Sequence, residues 1–197
     1  MIRLEQALVR LNADLTELSL RWALVGGLAV SVRAEPRTTR DLDVAIAVGG
    51  DREAERIALA FKIRGYREHA AGAVLEHKDK ERLATVRFLL PDEEEIAIGV
   101  DLLFASSGVE EEITAAAEMR RILPSLYVPV ARIGHLIALK VLAGRDKDRA
   151  DVRLLLEHSE RDDLQLARQT LELITARGFN RGKDLLAELT KLEIPED

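Results

Sequence analysis

The chain has 197 residues, a formal net charge of −6 at pH 7 and no cysteine. The absence of cysteine excludes disulfide bonds and thiolate metal sites, and the acidic balance does not support a broad electrostatic surface for nucleic acid. With 47% hydrophobic and 32% charged residues, the composition is typical of a soluble globular protein. The length suits one domain, or a catalytic domain with a smaller helical appendage.

The amino-terminal segment carries Glu5 and Asp14 and lacks the apolar core of a signal peptide. No uncharged apolar run reaches the roughly 18 residues that a transmembrane helix needs. We therefore expect a cytoplasmic protein with no membrane partner.

The first part of the chain alternates between helical and β-type patterns. Leucine and alanine recur at helical spacing near the start, and a short apolar run that ends in Gly26-Gly27 then predicts a strand. A helix follows the glycines until Pro36, because the residue before a proline avoids the α conformation. The predicted elements are helices over 3–18 and 28–34 and strands over 21–25 and 40–48.

The rest of the chain predicts further strands and then a helical region. Ser107 and Glu110 have the spacing of a capping box and predict a helix start. The predicted elements are helices over 52–63 and 107–119, β segments over 72–78, 82–90 and 95–104, and helices from residue 131 onward. These elements indicate an α+β fold, in which a mixed sheet flanked by helices forms a core over 1–120 and a helical region occupies 121–197.

Asp41 and Asp43 begin the second predicted strand. Residues two apart in a strand point to the same face, so both carboxylates project together while Leu42 and Val44 face a core. Two like charges on one face repel unless a cation neutralises them. Paired carboxylates with open coordination positions suit Mg²⁺ that carries a polyphosphate. The alternative is a solvated Asp-x-Asp at a strand edge.

Gly26-Gly27 stands between the first strand and the following helix. A helix start leaves backbone N–H groups without helical partners, and glycine lets a phosphate approach them closely. On its own, a glycine pair is typical of many turns. Phosphate-binding glycines together with a carboxylate pair are what metal-dependent phosphoryl or nucleotidyl transfer requires.

Gly26-Gly27 followed by Arg37-x-Thr39-x-Asp41-Leu42-Asp43 resembles the DNA polymerase β-like nucleotidyltransferase superfamily. Within it, the chain resembles the minimal bacterial nucleotidyltransferases and most of all the AbiEii group of type IV toxins, over residues 20–155. The resemblance implies an NTP substrate and Mg²⁺ or Mn²⁺ held by Asp41 and Asp43. Many superfamily members have Gly-Ser in place of Gly26-Gly27, and the serine hydroxyl there helps to hold a phosphate.

Asp101 interrupts the apolar β segment 95–104. A buried carboxylate is costly unless it is paired or binds a metal, whereas an aspartate at a strand end can simply face water. The superfamily's third carboxylate comes from a later strand of this kind, so the resemblance makes Asp101 the candidate third metal ligand and the base that activates an acceptor hydroxyl.

A second group of candidates follows the predicted catalytic core. His135-Leu-Ile-Ala-Leu-Lys140, followed by Asp148 and Asp151, resembles the segment that AbiEii-like proteins associate with the nucleotide site. Lys140 could pair with a triphosphate oxygen, and Asp148 and Asp151 share a helix face and could hold Lys140 or contact the nucleotide. Lys140 could equally complement a helix carboxyl end, and Asp148 could be a helix cap.

The sequence leaves open the roles of Arg37 and Thr39, which precede the carboxylate pair. Arg37 could contact a phosphate or pair with a nearby carboxylate. Thr39 is better suited to support the Asp41 loop by hydrogen bonding than to act as a nucleophile. With Gly26, Gly27, Lys140, Asp148 and Asp151, they are the predicted nucleotide-binding residues.

The predicted activity is transfer of NMP from an NTP to an acceptor. The β- and γ-phosphates of the NTP would bind over the glycines, and the metal would bind the triphosphate. The acceptor would then attack the α-phosphate in line. The AbiEii resemblance implies a toxin with RNA or tRNA as acceptor and an antitoxin partner. The alternatives are a small-molecule or protein nucleotidyltransferase, and a non-catalytic nucleotide-binding or antitoxin-like module.

Overall fold

The structure is a computed structural model that describes residues 3–78, 80–90 and 98–194. The helices in this part of the chain are α1 (Arg3–Glu17), α2 (Gly26–Arg33), α3 (Asp51–Ile63), α4 (Glu110–Ala115), α5 (Ile133–Ala143), α6 (Asp146–Glu157), α7 (Arg161–Ala176) and α8 (Leu185–Glu193). The strands are β1 (Trp22–Val25), β2 (Asp41–Ile46), β3 (Arg67–Lys78), β4 (Lys80–Leu90), β5 (Ile98–Leu103), β6 (Glu118–Leu123) and β7 (Leu126–Val130).

The seven strands form one mixed sheet in the order β3-β4-β5-β2-β1-β7-β6. β2 runs parallel to β5, and β1 runs parallel to β7, while the other neighbouring pairs are antiparallel. The predicted α+β class, with a mixed sheet, flanking helices and a carboxyl-terminal helical region, is confirmed.

The core lies where apolar side chains of the central strands meet the helices. All four residues of β1 are buried, and α1 covers the sheet with the apolar stripe that its sequence spacing predicted. α5 is apolar on almost every side because it packs against α2, α6, α7 and α8. Gly144 ends α5 in a left-handed conformation, as is typical of a glycine at a helix carboxyl end. This packing holds α5 beside α2, the helix that begins at Gly26.

Residues 116–130 differ from the prediction. The helix expected over 107–119 covers only Glu110–Ala115, and the chain then forms the β6–β7 hairpin. Ser107 donates its backbone N–H and its hydroxyl to Glu110 at 2.8 and 2.9 Å, but the helix is preceded by Val109 and no side chain caps its start, so only half of the predicted capping box forms. The hairpin joins the sheet because β7 pairs with β1, which a reading of local sequence could not show.

Other element bounds shift by a few residues. The proposed division after residue 120 falls inside β6, and the division into two domains stays a prediction. The described part of β5 begins at Ile98, so residues 95–97 of that predicted strand lie outside the described residues. No helix in the described ranges is long and apolar enough to cross a membrane.

Candidate active site

The aspartates of β2 and β5 lie on one face of the sheet. β2 and β5 are parallel neighbours, with Asp43 directly opposite Asp101 and Asp41 opposite Gly99. Opposed positions in neighbouring strands project to the same face, as do positions two apart in one strand. The register therefore brings Asp41, Asp43 and Asp101 together, and we call these three side chains the carboxylate face. Asp101 lies inside β5, with its side chain only 15% exposed.

Two glycines leave room for these carboxylates. A Cβ atom at Gly26 would overlap the side chain of Asp43, and one at Gly99 would overlap that of Asp41. Gly26 also has a φ of +65°, a left-handed conformation that L side chains rarely adopt. The turn between β1 and α2 therefore requires glycine for both its backbone conformation and its contact with Asp43.

Gly27 is crowded by two of the predicted nucleotide-site residues. A Cβ atom at this position would lie 2.6 Å from Arg37 Nη2 and 2.9 Å from Thr39 Oγ1. These side chains occupy the space that the serine of a Gly-Ser pair would enter. Thr39 also donates its hydroxyl to the carbonyl oxygen of Asp41 at 3.4 Å, which is the supporting contact expected from the sequence.

The amino end of α2 opens into the same cleft. α2 begins at Gly26, two residues earlier than predicted, and Gly26 and Gly27 both line the cleft. The first N–H groups of a helix lack partners within the helix, and the helix dipole makes this end positive. The arrangement suits an anionic group such as a phosphate.

Asp43 shows that the carboxylate face carries surplus negative charge. Burial and the neighbouring carboxylates of Asp101 and Asp41 raise the pKa of Asp43 to about 6, although Lys140 and Arg87 oppose the rise. A nearby opposite charge favours the ionised form of a carboxyl group. A divalent cation at this face would therefore relieve the repulsion that raises this pKa.

Arg87 on β4 is a site residue that the sequence analysis missed. It lies opposite Asp101 in the β4–β5 register, and it donates from Nε and Nη2 to the two oxygens of Asp101, both at 2.7 Å. Its Nη2 is also 3.7 Å from Asp41 Oδ2. Arg87 is the one charged residue between Leu83 and Leu90, which distinguishes it in the sequence, but its pairing with Asp101 depends on the β4–β5 register.

Lys140 forms the centre of a second charged group, in the wall made by α5 and α6. Its Nζ lies 3.1 Å from Asp148 Oδ1 and 2.8 Å from Asp151 Oδ2, and all three side chains are buried. Arg37 pairs with Asp151 at 3.0 Å and Arg145 pairs with Asp148 at 2.5 Å. We call these five residues the lysine network. Both aspartates hold Lys140, and Arg37 pairs with a carboxylate, which was one of its two predicted roles.

Asp148 is charged despite complete burial of its side chain. Burial alone would raise the pKa of Asp148, but hydrogen bonds and charge interactions with Arg145 and Lys140 outweigh it, so the pKa lies below the ordinary value. Asp148 also accepts the backbone N–H of Arg145 at 3.3 Å, which is the helix-capping role that the sequence left open. This aspartate therefore serves both the start of α6 and Lys140.

The carboxylate face and four members of the lysine network, Arg37, Lys140, Arg145 and Asp148, line one cleft of about 540 Å³, whereas Asp151 lies behind them and does not line it. Its basic side chains are Arg37, Arg40, Arg87, Lys140, Arg145, Lys147 and Arg181, and its acidic side chains are Asp41, Asp43, Asp101 and Asp148. Basic groups outnumber acidic ones, in contrast with the net charge of −6 for the whole chain. The cleft therefore concentrates positive charge that an anionic substrate could use.

The chemistry of the carboxylate face fits a hard divalent cation. Mg²⁺ and Mn²⁺ prefer oxygen ligands, and three carboxylates on adjacent strands supply them beside a buried, charge-crowded Asp43. Within the described ranges, no three acidic or histidine side chains converge closely enough to enclose an ion by themselves. Arg87 holds both oxygens of Asp101, so the carboxylate predicted as the third metal ligand is already paired with a cation of the protein.

A family model described as "Nucleotidyl transferase AbiEii toxin, Type IV TA system" matches residues 6–197. The chain belongs to this family. It is therefore a nucleotidyltransferase, as the sequence motifs predicted, and the match extends well beyond the resemblance over residues 20–155. Membership also relates the protein to toxin–antitoxin systems, while it does not identify the acceptor.

Solved structures of low sequence identity share the fold, whereas no curated protein sequence matches the chain. An antigenic nucleotidyltransferase-like protein from Paracoccidioides brasiliensis has a TM-score of 0.56 at 15% identity, over 95% of this chain and 92% of that one. The antibiotic-resistance factor ANT(2'')-Ia has a TM-score of 0.55 at 15% identity, over 90% of this chain and 96% of that one. Its complex with adenylyl-2"-tobramycin gives 0.50 at 16% identity, over 87% and 97%. At these identities the likeness shows the nucleotidyltransferase fold alone.

Proposed function

We propose that the protein transfers a nucleotidyl group from an NTP to an acceptor hydroxyl, with Mg²⁺ or Mn²⁺ bound at the carboxylate face. The observation that carries this proposal is the β2–β5 register, which sets three carboxylates on one face beside the amino end of α2. Family membership supports nucleotidyl transfer as the reaction, and the excess of basic side chains in the cleft supports a polyphosphate as the substrate.

The residues of the cleft take distinct roles in this proposal. The N–H groups at Gly26 and Gly27 bind the β- and γ-phosphates of the NTP. Asp41, Asp43 and Asp101 would hold the metal, which when bound neutralises the triphosphate and stabilises the charge that develops during transfer. The lysine network forms the neighbouring wall and orients Lys140 and Arg37 toward the nucleotide.

The chemical step needs a base for the acceptor hydroxyl. The acceptor oxygen attacks the α-phosphorus and forms a new P–O bond, while the bond from that phosphorus to the bridging oxygen breaks and releases pyrophosphate. The hydroxyl proton passes to the carboxylate of Asp101. In-line attack places the pyrophosphate on the Gly26-Gly27 side, opposite the acceptor.

The acceptor we favour is RNA, with the 3′ end of tRNA as the first candidate. In the described residues, Arg40 and Lys147 line the cleft without a carboxylate partner, so their charges remain available for phosphates. We further propose an antitoxin as a partner, because the family is one of type IV toxin–antitoxin systems, and the cytoplasm as the place of action. A small-molecule or protein acceptor is the second option, and family membership argues against a non-catalytic module.

A transfer assay tests this proposal. The protein is incubated with each of the four α-labelled NTPs, Mg²⁺ and total tRNA, beside an Asp41→Asn/Asp43→Asn variant that keeps the side-chain shapes. Label on RNA with the intact protein alone would support the proposal and identify the nucleotide. Label on the protein itself would indicate protein modification, and release of pyrophosphate only with a small alcohol would indicate a small-molecule acceptor. No transfer with any acceptor would contradict the proposal.

A further inference from the structure

Arg87 makes the most complete ion pair of the carboxylate face. Its guanidinium donates to each oxygen of Asp101 at 2.7 Å, in the two-bond geometry that makes arginine–carboxylate pairs strong. The same group lies 3.7 Å from Asp41. Among the described residues, no other basic side chain forms an ion pair with Asp41, Asp43 or Asp101. Arg87 is therefore the cation that the protein itself supplies to this face.

We propose that Arg87 is a resident counter-ion that occupies Asp101 while no metal is bound, and that a divalent cation must displace it before Asp101 becomes a ligand. This inference rests on the proposed function, because it assumes that the carboxylate face binds the metal. It adds a residue whose position governs when the third carboxylate becomes available. Arg87 acts through Asp101, so it is a positioning residue.

Competition follows from the way in which Asp101 is occupied. Both oxygens already accept a charge-assisted hydrogen bond, and a metal on the same carboxylate would bring a second positive charge close to the guanidinium. Like charges on one carboxylate repel, so the two cations exclude each other.

Exchange is feasible because Arg87 is not locked in the core. Its side chain is 43% exposed, whereas that of Asp101 is 15% exposed. The guanidinium lines the cleft and can turn toward solvent or toward the phosphates of a bound nucleotide while β4 stays paired with β5. The protein would thus keep the carboxylates partly neutralised before the metal arrives, and free Asp101 only when it does.

The test is a Mn²⁺ titration of the full-length protein, read by electron paramagnetic resonance of free Mn²⁺ and by the metal-induced change in melting temperature. Arg87→Gln removes the competing charge, and Arg40→Gln is the matched control, since it removes one charge from the same cleft without touching Asp101. We expect Arg87→Gln to bind Mn²⁺ about tenfold more tightly than the wild type, and Arg40→Gln to change affinity by only about twofold.

A second variant makes the test specific to Asp101. Arg87→Gln/Asp101→Asn should lose the gain in affinity, because the ligand that Arg87 released is gone. Equal or weaker binding by Arg87→Gln, or a gain that survives Asp101→Asn, would overturn the inference. If wild-type binding is intact and depends on Asp43, the proposed function would stand despite that result. Mn²⁺ binding by none of these proteins would overturn both.

Discussion

The carboxylate face and the lysine network share one cleft but differ in how their charges are balanced. Among the described residues, Arg87 alone forms ion pairs with the three carboxylates of the face, and burial with like-charge crowding raises the pKa of Asp43 to about 6. In the lysine network, each buried carboxylate is paired twice, and the pKa of Asp148 is lowered. The carboxylate face therefore carries more negative than positive charge, whereas both carboxylates of the lysine network have cationic partners.

This difference in charge balance suits the carboxylate face to binding a cation and the lysine network to holding the neighbouring wall of the cleft in place. A face with surplus negative charge gains stability from an added cation, and for this reason we propose it as the site of an exchangeable metal. The lysine network pairs each of its two buried carboxylates with two cations, so it gains little from a further ion and loses much when one member is removed. Neutralising substitutions should therefore have opposite effects on the free energy of unfolding in the two groups.

The largest effect should come from Asp43→Asn. We expect nucleotidyl transfer to fall by about 1000-fold or more, because the variant removes a metal ligand at the reacting phosphates. The same change should stabilise the metal-free protein by about 1–2 kcal/mol, because it removes a buried carboxylate crowded by like charges. Transfer kinetics and thermal unfolding in chelator measure the two effects. A variant that is both less active and less stable would contradict this account of the carboxylate face.

Lys140→Met should have the opposite effect on stability. It leaves the buried carboxylates of Asp148 and Asp151 without their shared partner, and removal of one member of a buried ion pair costs about 3–5 kcal/mol. Denaturant unfolding measures the loss. Lys147→Met is the matched control, since this lysine is exposed and has no carboxylate partner in the described residues, and we expect a change within about 0.5 kcal/mol. Equal losses of unfolding free energy in Lys140→Met and Lys147→Met would show that the ion pairs of Lys140 do not stabilise the protein.

Gly26→Ala should damage the carboxylate face through the backbone. Alanine at a φ of +65° costs about 1–2 kcal/mol, and its methyl group would also displace the side chain of Asp43. We expect lower unfolding free energy together with weaker Mn²⁺ binding. Gly49→Ala is the control, because the nearest atom to its Cβ would be Glu53 Oε2 at an ordinary 3.4 Å. Unchanged Mn²⁺ affinity in Gly26→Ala would show that Asp43 does not depend on this close contact.

The smallest effects should come from the unpaired cations at the cleft. Arg40→Gln and Lys147→Gln should each raise KM for the phosphate-bearing substrate by up to about fivefold, since one exposed charge contact is worth about 1 kcal/mol or less. The value of kcat should change little, because neither residue touches the reacting atoms in our proposal. Steady-state kinetics at two salt concentrations measure this, and a loss confined to kcat would argue against phosphate contact.

Much of the carboxylate face could be predicted because its signals are local. Asp41 and Asp43 are two residues apart in one strand, and Asp101 interrupts an apolar strand at the place where the family resemblance implies a third carboxylate. Gly26-Gly27 stands directly after a strand, where the turn into α2 needs glycine. Such features depend on residues a few positions apart, and the sequence displays them directly.

Features that depend on strand pairing could not be predicted in the same way. Arg87 reaches Asp101 because β4 and β5 are neighbours in register, and no local spacing encodes that pairing. The β6–β7 hairpin was missed because polar residues and Pro124 in its turn resemble a connecting segment, whereas its place in the sheet comes from contact with β1. The full pairing of the lysine network likewise needed the packing of α5 against α6.

A crystal structure with Mn²⁺ and a nonhydrolysable NTP analogue tests the central claim most directly. We predict an anomalous Mn²⁺ peak between Asp41, Asp43 and Asp101, with the triphosphate against Gly26 and Gly27. In the same crystal, the guanidinium of Arg87 should have moved away from Asp101. An intact lysine network in the same crystal would confirm that it supports the site without exchanging its partners. A nucleotide bound away from α2, or Mn²⁺ absent from the carboxylate face, would contradict the account.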